Sequence, residues 1–437
     1  MNKLVLLVED ILPDGTLVTP FDILNDFYKK SGRYIEQWMP VEKHYMTALC
    51  KNYIEFQRIK DIKTLDPNTK YLYYVPTNLF FELPPLNLFQ IISEESHQFL
   101  IRNNITFLIT YQLDMYDPCV ANHFINKFYD WQRYHMWNNV HTNKTIFYTG
   151  CKLYDSFTNF LHTALPENKF LYSPFMLYWA RDSLVKNPAL PEQIYKTYLS
   201  YDNKKLYTHL NKSGRIHRFT LLHGLRAYDL IENSITSNVH NLPVDPNQFS
   251  EIIHPAQYNS SRVGNRNTYE EKLLADMSSG EVPKMLLDVD MNSVHSYVNW
   301  NYDPAWFYNS CFEIIGETGS YYDKTHWLQF TMITEKVAKT MYNFKPFLIN
   351  GGPYSLKILR DLGFETFPEL FDESYDLQEN MIDRQRIIVE NVQKWKGRTS
   401  EFMKIMRENK WKLEHNHKHL MNLDMEKIIY DTLYPQA

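Results

Sequence analysis

The chain has 437 residues, with 46 Lys and Arg against 51 Asp and Glu for a net charge of −5. That length exceeds what one core supports, so two domains are expected, and the mildly acidic balance argues against a generally basic nucleic-acid surface while leaving room for a local basic groove. Cys50, Cys119, Cys151 and Cys311 form no C-x-x-C pair and show no metal-ligand spacing, so they read as reduced thiols. The opening MNKLVLLVED is too short an apolar run for a signal peptide, and no apolar stretch reaches the roughly 18 residues that a membrane span needs. The expectation is a soluble, cytoplasmic protein with no membrane partner.

In chain order, Lys3 to Val8 predicts a buried strand stopping at Glu9 and Asp10. Residues 20–37 read as an amphipathic helix, Tyr71 to Val75 and Asn78 to Glu82 as strands, and Ser93 to Asn103 as a helix. Ile105 to Tyr111 reads as the next strand, Asn122 to Trp137 as a helix, and Thr145 to Thr149 and Phe170 to Tyr172 as strands. The polar segment LSYDNKK marks the interdomain crossing, which gives domains 1–204 and 205–376 and a helical segment 377–437.

Leu206 to Leu210 opens the second domain as a strand, and NKSGRIHRFTLLHGL then turns at Ser213 and Gly214 into a helix faced by Leu221, Leu222 and Leu225. A strand, a polar turn and a helix with basic residues at its start is an anion-binding arrangement, which singles out Arg218 first and Arg215 second. An exposed helix-start arginine is the plain alternative. Residues 238–283 read as an irregular insertion in which EEKLL is the clear helix signal. Lys284 to Asp290 is an apolar strand closing on Asp288 and Asp290, a spacing that can hold Mg²⁺ or Mn²⁺, although so short a motif arises often by chance. Phe312, Ile314 and Ile315 predict a strand ending at Gly316 and Glu317.

The stretch from Phe330 to Asp376 carries the densest pattern. Thr334 caps a helix with Val337, Ala338 and Met341 on one face; Pro346 to Ile349 is a strand; Asn350, Gly351, Gly352 and Pro353 form a turn; a helix follows to Gly363; and Phe364 to Phe367 is a further strand. Such alternation predicts an α/β layer on a parallel sheet, which binds ligands at the carboxyl ends of its strands and so puts Gly351 and Gly352 at a ligand-facing turn. After Asp376 the chain is helical, with Trp395, Phe402, Met406 and Trp411 as an apolar stripe. His415, His417 and His419 read as a solvated helix face.

The order TEK opening a helix, Lys-Pro before an apolar strand, a Gly turn, LGF, TF and DESYD resembles the nucleotide-sugar-binding half of GT-B glycosyltransferases. It is most similar to the fucosyltransferase and exostosin-like groups and to glycosyltransferase-like proteins of tailed bacteriophages, over residues 205–376. The resemblance implies two Rossmann-like domains facing a cleft, with C-terminal helices packing back across them. It also implies that Glu335 faces the donor ribose and Lys336 the diphosphate, that Arg218 or Arg215 holds the donor phosphates, and that Asn309, Ser310 and Glu317 either contact the nucleotide or are structural. Thr334, Gly351 and Gly352 complete this donor set.

The implied reaction moves a sugar from a nucleotide-sugar donor, with no tightly bound cofactor, to an acceptor hydroxyl on a modified base of DNA or on a glycan, in the host cytoplasm if the chain is phage-encoded. Lys336 and Arg218 neutralise the departing diphosphate without a metal. The proton acceptor is expected on the first domain, with Asp114 favoured at a strand end and Glu94, Glu95, Glu82 and Asp10 as alternatives. The chain has only 13 glycines, few for two phosphate-cradling loops, so the first domain is assigned to the acceptor. A DNA acceptor requires a basic groove, and the basic residues at 29, 30, 33, 51, 58, 60 and 63 read either as that groove or equally as a solvated face. Two rival readings remain: a metal-dependent transferase using Asp288 and Asp290, and a non-catalytic nucleotide- or sugar-binding protein on the same scaffold.

Overall fold

The computed structural model describes residues 3–13, 17–18, 52–76, 94–111, 145–153, 169–185, 191–200, 204–211, 216–238, 268–279, 305–317, 322–323 and 328–434. The protein is mixed α/β with parallel sheets, and it divides into two compact units, 1–175 with 424–437, and 176–423.

The first unit is built on six parallel strands: β1 Lys3–Val8, β2 Ile54–Arg58, β3 Thr69–Pro76, β4 Thr106–Tyr111, β5 Thr145–Thr149 and β6 Lys169–Tyr172. They lie in the order β2-β1-β3-β4-β5-β6. Leu4 to Val8 are all 0% exposed, which is why β1 reads as an unbroken apolar run rather than an alternating one. By contrast β2, with sequence IEFQR, lies at the sheet edge and gave no such signal. Helix α1, Glu94–Arg102, belongs to the same unit, and its Ser96 donates to Glu9, the residue after β1, at 3.2 Å.

The second unit carries a four-stranded parallel sheet of β7 Lys205–Asn211, β8 Ser234–Asn238, β9 Ser310–Gly316 and β10 Phe347–Asn350, in the order β8-β7-β9-β10. Both sheets thus place their first strand between their second and third. Around the second sheet lie α2 Phe175–Val185, α3 Pro191–Ser200, α4 Ile216–Ala227, α5 Thr268–Ser278, α6 Ala305–Tyr308, α7 Glu335–Tyr342, α8 Ser355–Asp361, α9 Met381–Lys394, α10 Thr399–Glu408 and α11 Lys410–Met421. Every residue of β9 is buried, Glu313 included; its carboxyl accepts from Thr340 at 2.7 Å, and burial raises its pKa against the pull of Lys339.

Three expectations change. Phe364 to Phe367 forms no strand: both rings are buried, while the Phe367 amide donates to Glu373 at 2.7 Å instead of to a ladder. In the apolar stripe, Trp395, Phe402 and Met406 are buried, Phe402 stacking on Phe312 of β9 at 5.4 Å, but Trp411 is 50% exposed. The three histidines of α11 are not merely solvated. His417 meets the Tyr342 carbonyl at 2.8 Å, His419 that of Leu362 at 2.7 Å and His415 that of Gly363 at 2.9 Å, so they satisfy carbonyls at the carboxyl ends of α7 and α8.

The last helix, α12 Met425–Leu433, belongs to the first unit. Its Glu426 accepts from the amides of Asn52 and Tyr53 at 2.7 Å each and of Ile54 at 3.1 Å, which fixes the entry into β2. The predicted elements at 20–37, 78–82, 122–137 and 284–290 lie outside the described residues. Among the described residues no helix is long and apolar enough to cross a membrane.

Candidate functional site

Because β7 and β9 are neighbours while the chain proceeds from them to opposite sides of the sheet, a crevice is expected outside their carboxyl ends. Asn211 pairs with Asn238 and Gly316 with Asn350, and Thr208 lies beside Glu313, which brings Asn211 beside Gly316. One row across the four strand ends therefore reads Asn238, Asn211, Gly316, Asn350. Glycine in that row has a steric cause: a Cβ on Gly316 would lie 2.7 Å from Asn211 Oδ1 and 3.2 Å from Arg218 Cγ.

The first turn of α4 enters above this row. His217 Nε2 meets the Glu317 carbonyl at 2.8 Å, and Arg218 donates to the same oxygen through Nε at 3.1 Å and Nη2 at 2.8 Å. The His217 carbonyl in turn accepts from Asn350 at 3.0 Å and from Gln385 of α9 at 2.6 Å. Below them His209, 0% exposed, faces the Ile314 carbonyl through Nδ1 at 2.7 Å, so Nδ1 carries the proton and Nε2 accepts from the Asn211 amide at 2.8 Å. Burial drives the His209 pKa down from 6.5 to about 4. Among the described residues Asn211 Oδ1 and Gln385 Oε1 are buried acceptors without a hydrogen-bond partner, so the network has capacity for further donors.

Glu317 and the helix α7 form the adjoining part. Both carboxylate oxygens of Glu317 are taken by Thr334, from its amide at 2.9 Å and its hydroxyl at 2.6 Å. Glu317 is 0% exposed, and burial raises its pKa despite Lys336 and the Thr334 bonds. The N-terminal end of α7, where an anion is favoured, thus holds a resident carboxylate. Lys336 Nζ reaches Thr334 Oγ1 at 3.1 Å and Glu335 at 2.9 Å and stands 4.0 Å from Glu317; the Lys336 and Glu335 side chains are each 27% exposed. Burial opposes the Glu335 charge, but Lys336 beside it brings the carboxyl below its usual range.

Gly351 follows β10 directly, and a Cβ there would meet Glu317 Cβ at 3.1 Å, so the turn closes onto Glu317. Gly352 supplies a carbonyl to Ser355 at 2.7 Å. The short helix α8 is capped by a second resident carboxylate, Asp376, at 2.8 Å from the Leu356 amide and 3.0 Å from that of Lys357.

The fold therefore brings Arg218, Glu317, Thr334, Glu335, Lys336, Gly351 and Gly352 together at the carboxyl edge of the second sheet. Ser310 stands apart: it starts β9, about 20 Å of strand away from Gly316, and its hydroxyl bonds Thr208 at 2.6 Å. Arg215 and Asp114, like Asp288 and Asp290, lie outside the described residues. In the first unit Glu94 and Glu95 begin α1, and Glu95 is exposed. Among the described residues no cluster of His, Cys, Asp and Glu is arranged to hold a metal ion.

No protein-family model matches this chain, and no curated protein is significantly similar to it. Asn350 was legible as the start of the glycine turn, but His209, Asn211 and Gln385 had no sequence signal of their own, because each becomes part of the site only through strand register or through a helix distant in sequence.

Proposed function

We propose that the protein is a nucleotide-sugar-dependent glycosyltransferase whose two units are Rossmann-like domains of GT-B type, with the donor held by the second. The observation that carries the reading is the carboxyl edge between β7 and β9: a helix start, a close-approach glycine and the side chains of Arg218 and Lys336 converge at the switch point of a parallel sheet. In that reading Lys336, partly exposed, meets the donor diphosphate. Arg218, occupied with the Glu317 carbonyl, positions the strand end and adds positive potential. Glycosyl transfer leaves negative charge on the diphosphate, and fixed cations stabilise it without the need for a metal. The acceptor hydroxyl belongs to a hydroxymethylated pyrimidine in DNA or to a glycan, and offering both distinguishes them.

The test is a thermal-shift series with UDP, GDP, ADP, CMP and their sugars, with and without EDTA, on the wild type and Lys336→Ala. A ligand that binds only the native state raises the melting temperature. A metal-independent shift with one nucleotide, weakened about 10- to 100-fold in Lys336→Ala for the loss of a charge-assisted bond, supports the reading. No shift with any nucleotide refutes it. A shift abolished by EDTA moves the donor site to Asp288 and Asp290, and binding without transfer to any acceptor favours a non-catalytic binding protein.

A further inference from the structure

Positive charge gathers in one part of this acidic chain. Residues 394–418 hold eight Lys and Arg against three Glu, a local charge of +5 in a chain of −5. They make up the end of α9, all of α10 and most of α11, within the second unit. The inward sides of the last two helices belong to the core: Phe402, Met403, Met406, Leu413 and Leu420 are buried, and Lys412 turns in to the Thr366 carbonyl at 2.8 Å and Glu369 at 2.9 Å. The outward sides carry the cations.

Lys396, Lys404, Lys410 and Lys418 are exposed, and among the described residues none of them is ion-paired. Two of the three carboxylates in this stretch are engaged: Glu401 pairs with Arg398 at 2.6 Å, and Glu414 accepts from Tyr195 of α3 at 2.6 Å. Lys410, Trp411, Glu414, His415 and Lys418 share the outward stripe of α11. Trp411 is 50% exposed, so an indole face stands in solvent among the lysines. Lys410 and Lys418 lie about 12 Å apart along the helix at ~1.5 Å per residue, a length over which a stacked strand carries about three to four phosphates at ~3.4 Å each. In the first unit, by contrast, Arg58 and Lys60 are held by Asp61 at 2.5 Å and Asp10 at 2.7 Å.

Unpaired lysines spaced along a helix, with an exposed aromatic ring among them, match a single nucleic-acid strand: the ammonium groups take phosphates and the ring takes the face of a base. An anionic membrane matches less well, because the apolar sides of both helices are already buried and Trp411 alone would enter the lipid. An acidic polypeptide supplies the charge but no base to stack on the indole. We propose that the outer face of α10 and α11 docks a single nucleic-acid strand, with phosphates on Lys404, Lys410 and Lys418 and a base on Trp411. This docking needs no nucleotide sugar at the edge of the second sheet.

The experiment titrates the full chain into a labelled oligothymidylate of about 20 nucleotides and follows anisotropy between about 50 and 200 mM salt. Three phosphate contacts give log affinity a slope of about −2 against log salt, at ~0.7 per contact. Combining Lys404→Ala, Lys410→Ala and Lys418→Ala should flatten that slope and weaken binding about tenfold or more at the lower salt. Trp411→Ala should weaken it by about 5- to 100-fold with the slope unchanged. All four positions are exposed, so the variants should melt with the wild type. Lys336→Ala should bind as the wild type does, which separates this face from the sheet edge. Absence of salt-dependent binding up to about 100 µM protein overturns the proposal. So does a combined lysine variant that binds within about threefold of wild type, or a loss on Lys336→Ala in its place, since the strand would then sit elsewhere. Equally tight binding of polyglutamate, with no effect of Trp411→Ala on the oligonucleotide, overturns it in favour of a bare cationic surface. Capture by phosphatidylserine-containing vesicles without oligonucleotide binding overturns it in favour of a membrane.

Discussion

Protonation of His209 should weaken the second unit in a defined pH window. The imidazole is fully buried, its Nε2 accepts from Asn211, and Arg218 is close enough to disfavour a second positive charge. With a pKa of about 4 in the folded protein and 6.5 as the reference, the gap of about 2.5 pH units corresponds to roughly 3 kcal/mol at ~1.4 kcal/mol per unit. A base whose pKa is depressed by folding contributes that stability fully above 6.5, and the contribution is lost as pH falls towards 4. Glu313, Glu317 and Asp376 are raised by burial and act in the opposite sense, so total stability does not isolate the effect. The comparison that does is wild type against His209→Gln, which cannot titrate. Amide exchange of β7 and β9, followed between about pH 7 and pH 4.5, should show the wild type losing protection more steeply, by up to about one extra proton taken up on unfolding. Parallel pH dependence in the two proteins would show that His209 is not held neutral by its surroundings.

Two further expectations concern packing. Gly316→Ala places a methyl 2.7 Å from Asn211 Oδ1 and 3.2 Å from Arg218 Cγ, and the strain should cost about 1–3 kcal/mol in thermal melts; an unchanged melt would mean that the strand end has room to spare. Glu426→Ala strands three amides near β2 and should weaken the first unit by about 1–3 kcal/mol, seen as faster amide exchange in β1 and β2 with β9 unaffected. Equal loosening of β9 would contradict that.

Strand and helix positions were legible in the sequence wherever burial was two-sided or caps were explicit. Lys3 to Val8 announces itself as an apolar run and β9 through Phe312, Ile314 and Ile315, and Thr334 and Gly363 bracket two helices at their expected places. Phe364 to Phe367 misled because its phenylalanines and Thr366 are residue types that favour strands, yet its amide at Phe367 is claimed by Glu373. The site was legible only in part. TEK and the glycine turn could be found as local patterns, but that Glu317 would fill the cap of α7 depended on β9 ending beside it. Glu9 was legible as the end of β1, but its hydrogen-bond partners Tyr73 and Ser96 lie 64 and 87 residues away in the chain.

The docking of Glu426 on residues 52–54 also sets an order of events during synthesis. The first unit begins the chain, but its final helix is translated only after all of 176–423. At ~5–20 residues per second the ribosome needs roughly 12–50 s to cover that interval, during which the amides leading into β2 lack their carboxylate. The nascent amino-terminal sheet must wait, incomplete at that edge, while the intervening unit can close first. A stop codon just before Asp424 would make that wait permanent.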